Sequence, residues 1–156
     1  MSGGAARLLD IHSDADHHRT VFTLAGEPGQ LAHAVAELAT AATERIDLRQ
    51  HDGIHPRVGA LDVAPIVYLT DTDRGAACAE ALVEADLLGE RLNLPVFLYG
   101  VLAGGRTRAE LRRGGPAGLK ARIDSGELTP DFGPRSLDLK TGDVLVAARP
   151  PLVAFN

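Results

Sequence analysis

A polar loop running straight into an apolar strand constrains this chain more than any other stretch. His51-Asp52-Gly53-Ile54-His55-Pro56-Arg57-Val58-Gly59 gathers two histidines, an arginine and an aspartate around two glycines and a proline. Residues 61–69 then read as a strand rich in Val, Ile and Tyr. Pro56 fixes one φ and biases the residues before it toward extended geometry, while Gly53 and Gly59 admit backbone angles that other residues resist. A loop so restricted can hold His55 and Arg57 in fixed directions. A histidine beside a fixed cation suits general acid–base work on an anionic substrate. A turn with a solvated His and Arg is the plainer alternative.

The flanking pattern alternates strands and helices. Strands are expected at 7–12 and 20–25, with a polar loop between them. Pro28 stands at the start of a helix running to about Ile46, with Leu31, Ala34, Val35, Leu38, Ala39, Ala42 and Ile46 at helical spacing. A second helix is expected at 74–92, with Cys78, Leu82, Ala85 and Leu92 on one stripe. Residues 95–100 form a nearly all-apolar strand. A short basic helix within 101–115, another at 118–123, and strands at 143–149 and 152–155 complete the order. Residues 1–6 read as a flexible lead and 7–156 as a single domain. The fold class that follows is α+β: a ferredoxin-like mixed β-sheet with helices packed on one face. Such a sheet leaves its other face open, and an apolar open face needs a partner.

Composition narrows the function. Lys and Arg number 16 against 21 Asp and Glu, giving a net charge of −5 with no basic run, which argues against nucleic-acid binding. No stretch approaches the length of a membrane span, and the first residues lack the apolar core of a signal peptide. Cys78, the one cysteine, reads as a small core residue in a reducing compartment. A cytoplasmic protein is expected.

Three further candidates carry chemistry. His12-Ser13-Asp14-Ala15-Asp16-His17-His18 has the His and Asp density of a metal site, but sequential ligands do not converge, so no metal is expected. Asp131-Phe132-Gly133-Pro134 is a rigid turn able to present Phe132 as a platform for a flat ring, or an ordinary hydrophobic anchor. Arg106, Arg108, Arg112 and Arg113 read as a solvated charged helix, with a polyanionic tail such as a polyglutamate as the alternative.

Taken together, the motifs resemble a family. His55-Pro56-Arg57-Val58-Gly59-Ala60-Leu61-Asp62-Val63 resembles the HPRxGALDV signature of the glutamate formiminotransferases, in their N-terminal subdomain. In the same order, residues 18–23 resemble its NRTVxT strand entry, 94–100 its LPVYLYG, 130–134 its PDFGP turn and 153–156 its VAFN end. The resemblance covers about residues 8 to 156. It includes neither the family's opening strand, loop and helix nor its C-terminal subdomain, and the family's asparagine in NRTV is His18 here.

The resemblance implies transfer of a formimino group from N-formimino-L-glutamate to N5 of tetrahydrofolate, the acceptor substrate, in histidine breakdown. It places the catalytic histidine at His55 and its neighbouring arginine at Arg57. Asp62 is a catalytic candidate, as a carboxylate beside a cationic amidinium, and Asp14 is a binding candidate able to do the same. Arg19 and Arg57 are candidates for holding substrate carboxylates. His18, His51, Gly59, Tyr99, Phe132 and Gly133 complete the substrate- and folate-binding candidates. A non-catalytic folate or small-anion binding module and one lobe of a split enzyme are the alternatives. A homodimer through the open sheet face is expected, because the family covers that face with its second subdomain.

Overall fold

The structure is a computed structural model and describes residues 5–153. A hairpin of β1 (Arg7–Asp14) and β2 (Arg19–Ala25) leads into α1 (Leu31–Arg45). Then follow β3 (Val63–Val67), α2 (Arg74–Leu92), β4 (Val96–Leu98), α3 (Arg108–Arg112), α4 (Gly115–Asp124) and β5 (Val144–Arg149). The expected α+β class is the one found, but the strands do not share one mixed sheet. Among the described residues β1 and β2 pair antiparallel with each other, and the other strands form a parallel sheet in the order β3-β5-β4. Proline explains part of that order. Pro65 lies within β3 and Pro95 just before β4, where each lacks an N–H for a ladder, so both strands suit edges. β5 carries no proline and takes the centre.

Both faces of the parallel sheet are covered, which corrects the expectation of helices on one face. Val96, Leu98, Val144, Val146 and Ala148 pack with Ala39 of α1 and with Ala77, Ala81, Ala85 and Leu88 of α2. The alternate residues Phe97, Tyr99, Leu145 and Ala147 pack with Leu111 of α3, Leu119 and Ile123 of α4, Leu137 and Val58. The alternation along β4 is as expected. Its second set simply finds cover within the chain, with Phe97 and Leu145 at 0% exposure. A dimer contact on a bare face of this sheet therefore has no surface to use. A group of exposed apolar residues lies on the hairpin instead, where Leu8, Leu9 and Ile11 are each more than half exposed and Val21 and Phe22 are also exposed.

The second helix has the expected bounds, and Cys78, Ala85 and Leu92 of its expected stripe meet the core. Ala77, Ala81, Ala85 and Leu88 face the core, and Leu82 is exposed. Small residues at i, i+4 and i+8 let α2 lie close to the sheet and to α1, and that outweighs the larger Leu82. Residues 152 and 153 form no strand, since β5 already has neighbours on both sides and Pro150-Pro151 lack N–H donors. Residues 154–156, like most of the expected lead, lie outside the described residues.

Two glutamates are buried between α1 and α2. Glu80 accepts hydrogen bonds from the backbone N–H groups of Gly29 and Ala32, the latter at 2.8 Å, and so caps the start of α1 from α2. Glu84, one turn on, is fully buried with neither oxygen hydrogen-bonded. Burial, and then the charge of Glu80, push its carboxyl well above the usual range. Folded Glu84 thus keeps its proton where the unfolded chain has lost it. Above pH 4.5 this group favours unfolding increasingly as pH rises, until its folded value is passed. Glu84→Gln should gain stability over the parent as pH rises from about 5 to 8 in denaturant titrations. Parallel pH dependences for the two proteins would show that Glu84 is ionised when folded.

Candidate functional site

The loop from His51 to Asp62 is tied down along its length. Val58 and Ala60 run antiparallel to Thr141–Asp143, with Ala60 N–H to Thr141 O at 2.8 Å and Asp143 N–H to Val58 O at 3.1 Å. Asp62 Oδ1 accepts from the Val58 N–H at 2.7 Å, and its other oxygen pairs with Arg112 of α3. Arg57 folds back and donates to the carbonyls of Gly53 (2.8 Å) and His51. It is the brace of the loop rather than a free cation. Asp62 is likewise occupied, by a backbone N–H and an arginine.

The tip of the hairpin meets this loop. His51 Nδ1 accepts from the Gly53 N–H at 3.2 Å, so its proton is on Nε2, which donates to the carbonyl of His18 at 2.8 Å. The two rings stack at 4.3 Å, and His18 adopts a left-handed φ of 49° at the turn. Asp14 accepts from the N–H of His17 at 2.8 Å and pairs with its ring at 2.9 Å, bonds that lower the Asp14 carboxyl below its usual range.

His55 stands where hairpin and loop converge. Arg19 Nη1 lies 2.8 Å from His55 Nε2. A guanidinium only donates, so Nε2 is the acceptor and the proton of the neutral ring sits on Nδ1. Partial burial lowers the imidazole below its ordinary value; Arg19 and Arg112 add to this, and Asp62 opposes it. The result is a neutral base whose lone pair is masked by a displaceable cation.

The structure thus brings Asp14, His18, Arg19, His51, His55, Arg57, Gly59 and Asp62 into one region. Tyr99 is buried on the sheet face that carries Val58, with the Arg108 guanidinium 5.8 Å from its ring, and burial raises its phenol. Phe132 and Gly133 fall elsewhere. Phe132 packs into the core on the α2 side, and Gly133 abuts Gly89 of α2 and the Leu94 carbonyl. The Phe132 platform therefore becomes a hydrophobic anchor on the opposite face.

The arginine group also departs from a solvated helix. Arg106 donates to the Leu98 carbonyl at 2.8 Å and pairs with Asp131, and Arg112 pairs with Asp62. Arg112 had no sequence signal as a site residue beyond its place in a basic cluster. Among the described residues no group of three or more His, Cys, Asp or Glu converges as metal ligands. No helix among them is long and apolar enough to cross a membrane.

Fold and site together define an α+β module that holds a neutral histidine among arginines where a polar loop meets a hairpin tip. Residues 2–149 match the formiminotransferase domain, N-terminal subdomain, and the chain belongs to that family. Glutamate formimidoyltransferase of Streptococcus pyogenes serotype M1 is 38% identical over 152 residues, covering 96% of this chain and 51% of that protein. Formimidoyltransferase-cyclodeaminase of Rattus norvegicus is 37% identical over 154 residues, covering 96% of this chain and 28% of that protein. Glutamate formimidoyltransferase of Thermoplasma acidophilum is 35% identical over 155 residues, covering 96% and 51%. The chain spans about half the length of the glutamate formimidoyltransferases it matches, and less of the bifunctional relative.

Proposed function

We propose that this chain takes part in transfer of a formimino group from N-formimino-L-glutamate to N5 of tetrahydrofolate, as a cytoplasmic step of histidine breakdown. The observation that carries the reading is the Arg19–His55 contact, with the acceptor lone pair of His55 on Nε2. A substrate carboxylate draws Arg19 into a bidentate pair and exposes that lone pair. N5 attacks the amidine carbon, forming the new C–N bond. His55 takes the proton from N5 and returns it to the glutamate nitrogen as the old C–N bond breaks. Asp62 serves this step as a positioning residue, through Val58 and Arg112. Asp14, through His17, and His51, through the His18 carbonyl, hold the hairpin tip that carries Arg19. Purified protein supplied with both substrates should release glutamate in step with formiminotetrahydrofolate. Binding of both ligands without glutamate release would make it a binding module.

The reading includes a homodimer, with its contact on the β1–β2 hairpin instead of the parallel sheet. Exposed Leu8, Leu9, Ile11, Val21 and Phe22 support that placement. Light scattering at micromolar concentration should give twice the chain mass for the parent and a monomer for Ile11→Lys/Phe22→Glu. A monomeric parent, or a dimer unaffected by both changes, would overturn it.

A further inference from the structure

We propose that the cleft between Pro56 and α3 binds a glutamyl carboxylate, an inference that rests on the transferase reading and adds a site to it. The cleft measures about 570 Å³ and is lined by Pro56, Thr107, Arg108, Ala109, Arg112 and Arg113. Three arginines therefore line one cleft in a chain whose net charge is −5.

Their partners decide which of them are free for a ligand. Arg112 is neutralised by Asp62. Arg113 reaches Glu127 at 3.3 Å, with both side chains more than half exposed, a contact that water screens and a ligand can displace. Arg108 has no carboxylate partner among the described residues, and its guanidinium is held 5.8 Å from the Tyr99 ring. The acid of α3 does not compete, because Glu110 is occupied in a capping box with Thr107. Two guanidiniums in one cleft, one held on an aromatic ring, match the planar, bidentate demand of a carboxylate. Pro56 is bonded to His55, so the cleft adjoins the loop segment that carries the acid–base group. Both substrates of the proposed reaction carry a glutamyl group, the donor as its body and the folate as its tail.

Calorimetry on the intact protein with N-formimino-L-glutamate, folinic acid and pteroic acid separates these sources. Pteroic acid carries the ring system without the glutamyl group. Arg108→Gln and Arg113→Gln should each weaken at least one glutamyl ligand by about tenfold or more. Pteroic acid affinity should stay as in the parent, and Arg45→Gln at the end of α1 should change nothing. The ligand that weakens identifies the occupant of the cleft. Unchanged affinity for both glutamyl ligands, or an equal loss for pteroic acid, would overturn the assignment. These are binding measurements, so absence of glutamate release refutes the transferase reading without deciding the cleft.

Discussion

Replacing His55 with alanine should lower the proposed formimino transfer by about 10²–10⁴-fold while leaving the melting temperature close to that of the parent. The ring is partly exposed, belongs to neither core cluster, and makes its polar contact with Arg19 on the surface. Losing it removes the proton carrier without opening a cavity. Arg19→Gln offers a second readout. Arg19 lowers the His55 pKa, so its removal should raise that value. In the proposed reaction the active form is the unprotonated base, so the acid limb of the kcat/KM profile should move to higher pH. Proton NMR titration of the His55 ring should show the same upward shift. A rate unchanged by His55→Ala would remove this residue from the mechanism.

The restricted loop around His55 was legible in the sequence because Pro56, Gly53 and Gly59 mark it. The neighbouring arginine was harder to read. Arg57 looks like a cation offered to a substrate until its guanidinium is seen on the carbonyls of Gly53 and His51. Backbone acceptors carry no letter of their own in a sequence, so their claim on a side chain is invisible there. Asp62 shows the same limit, since its partner Arg112 is remote in sequence and lies in a helix of one turn or so.

At the level of the fold, strand alternation along β4 was readable because Val96, Phe97, Leu98 and Tyr99 are all large and apolar. The cover over Phe97 and Tyr99 was not. α3 and α4 are short, sit between glycines and bury few large residues each, so neither has a stripe that marks it as the lid of a sheet. In α2, Ala77 and Ala81 join Ala85 and Leu88 on the buried face, so a search for large apolar residues misplaces Leu82 alone. Composition favours Phe132 as a hydrophobic anchor over a platform, and its packing against the core, with its turn close to Gly89, agrees with the anchor.

Gly59→Ala should destabilise the protein by about 3 kcal/mol or more, lowering the melting temperature by about 10 °C. Gly59 lies where the His55 loop runs beside the chain entering β5, paired in an antiparallel bridge with Gly142. A Cβ at position 59 would sit 1.7 Å from the Asp143 carbonyl oxygen and 2.7 Å from that of Leu61. Both neighbours are backbone, so no side chain can rotate away. A Cβ built on Gly142, at a φ of 72°, would likewise sit 2.0 Å from the Val58 carbonyl oxygen, so the two backbones approach closely from both sides of the seam. Relief requires the strands to part, which breaks the Ala60–Thr141 and Asp143–Val58 hydrogen bonds and uncovers Asp143. Asp143 is fully buried, and its carboxyl is held well above the usual range by burial and then by Asp62. Opening the seam would let water reach it and would loosen the base of the His55 loop. Gly59 thus belongs to the packing that supports the site, whereas its motif alone suggested contact with substrate. Gly75→Ala is the matched control: a Cβ there meets nothing within 4 Å in the first turn of α2, and the change should be neutral or stabilising by up to about 1 kcal/mol. Thermal melts of the two variants decide the point, and a Gly59→Ala protein as stable as the parent would mean that loop and strand do not approach this closely.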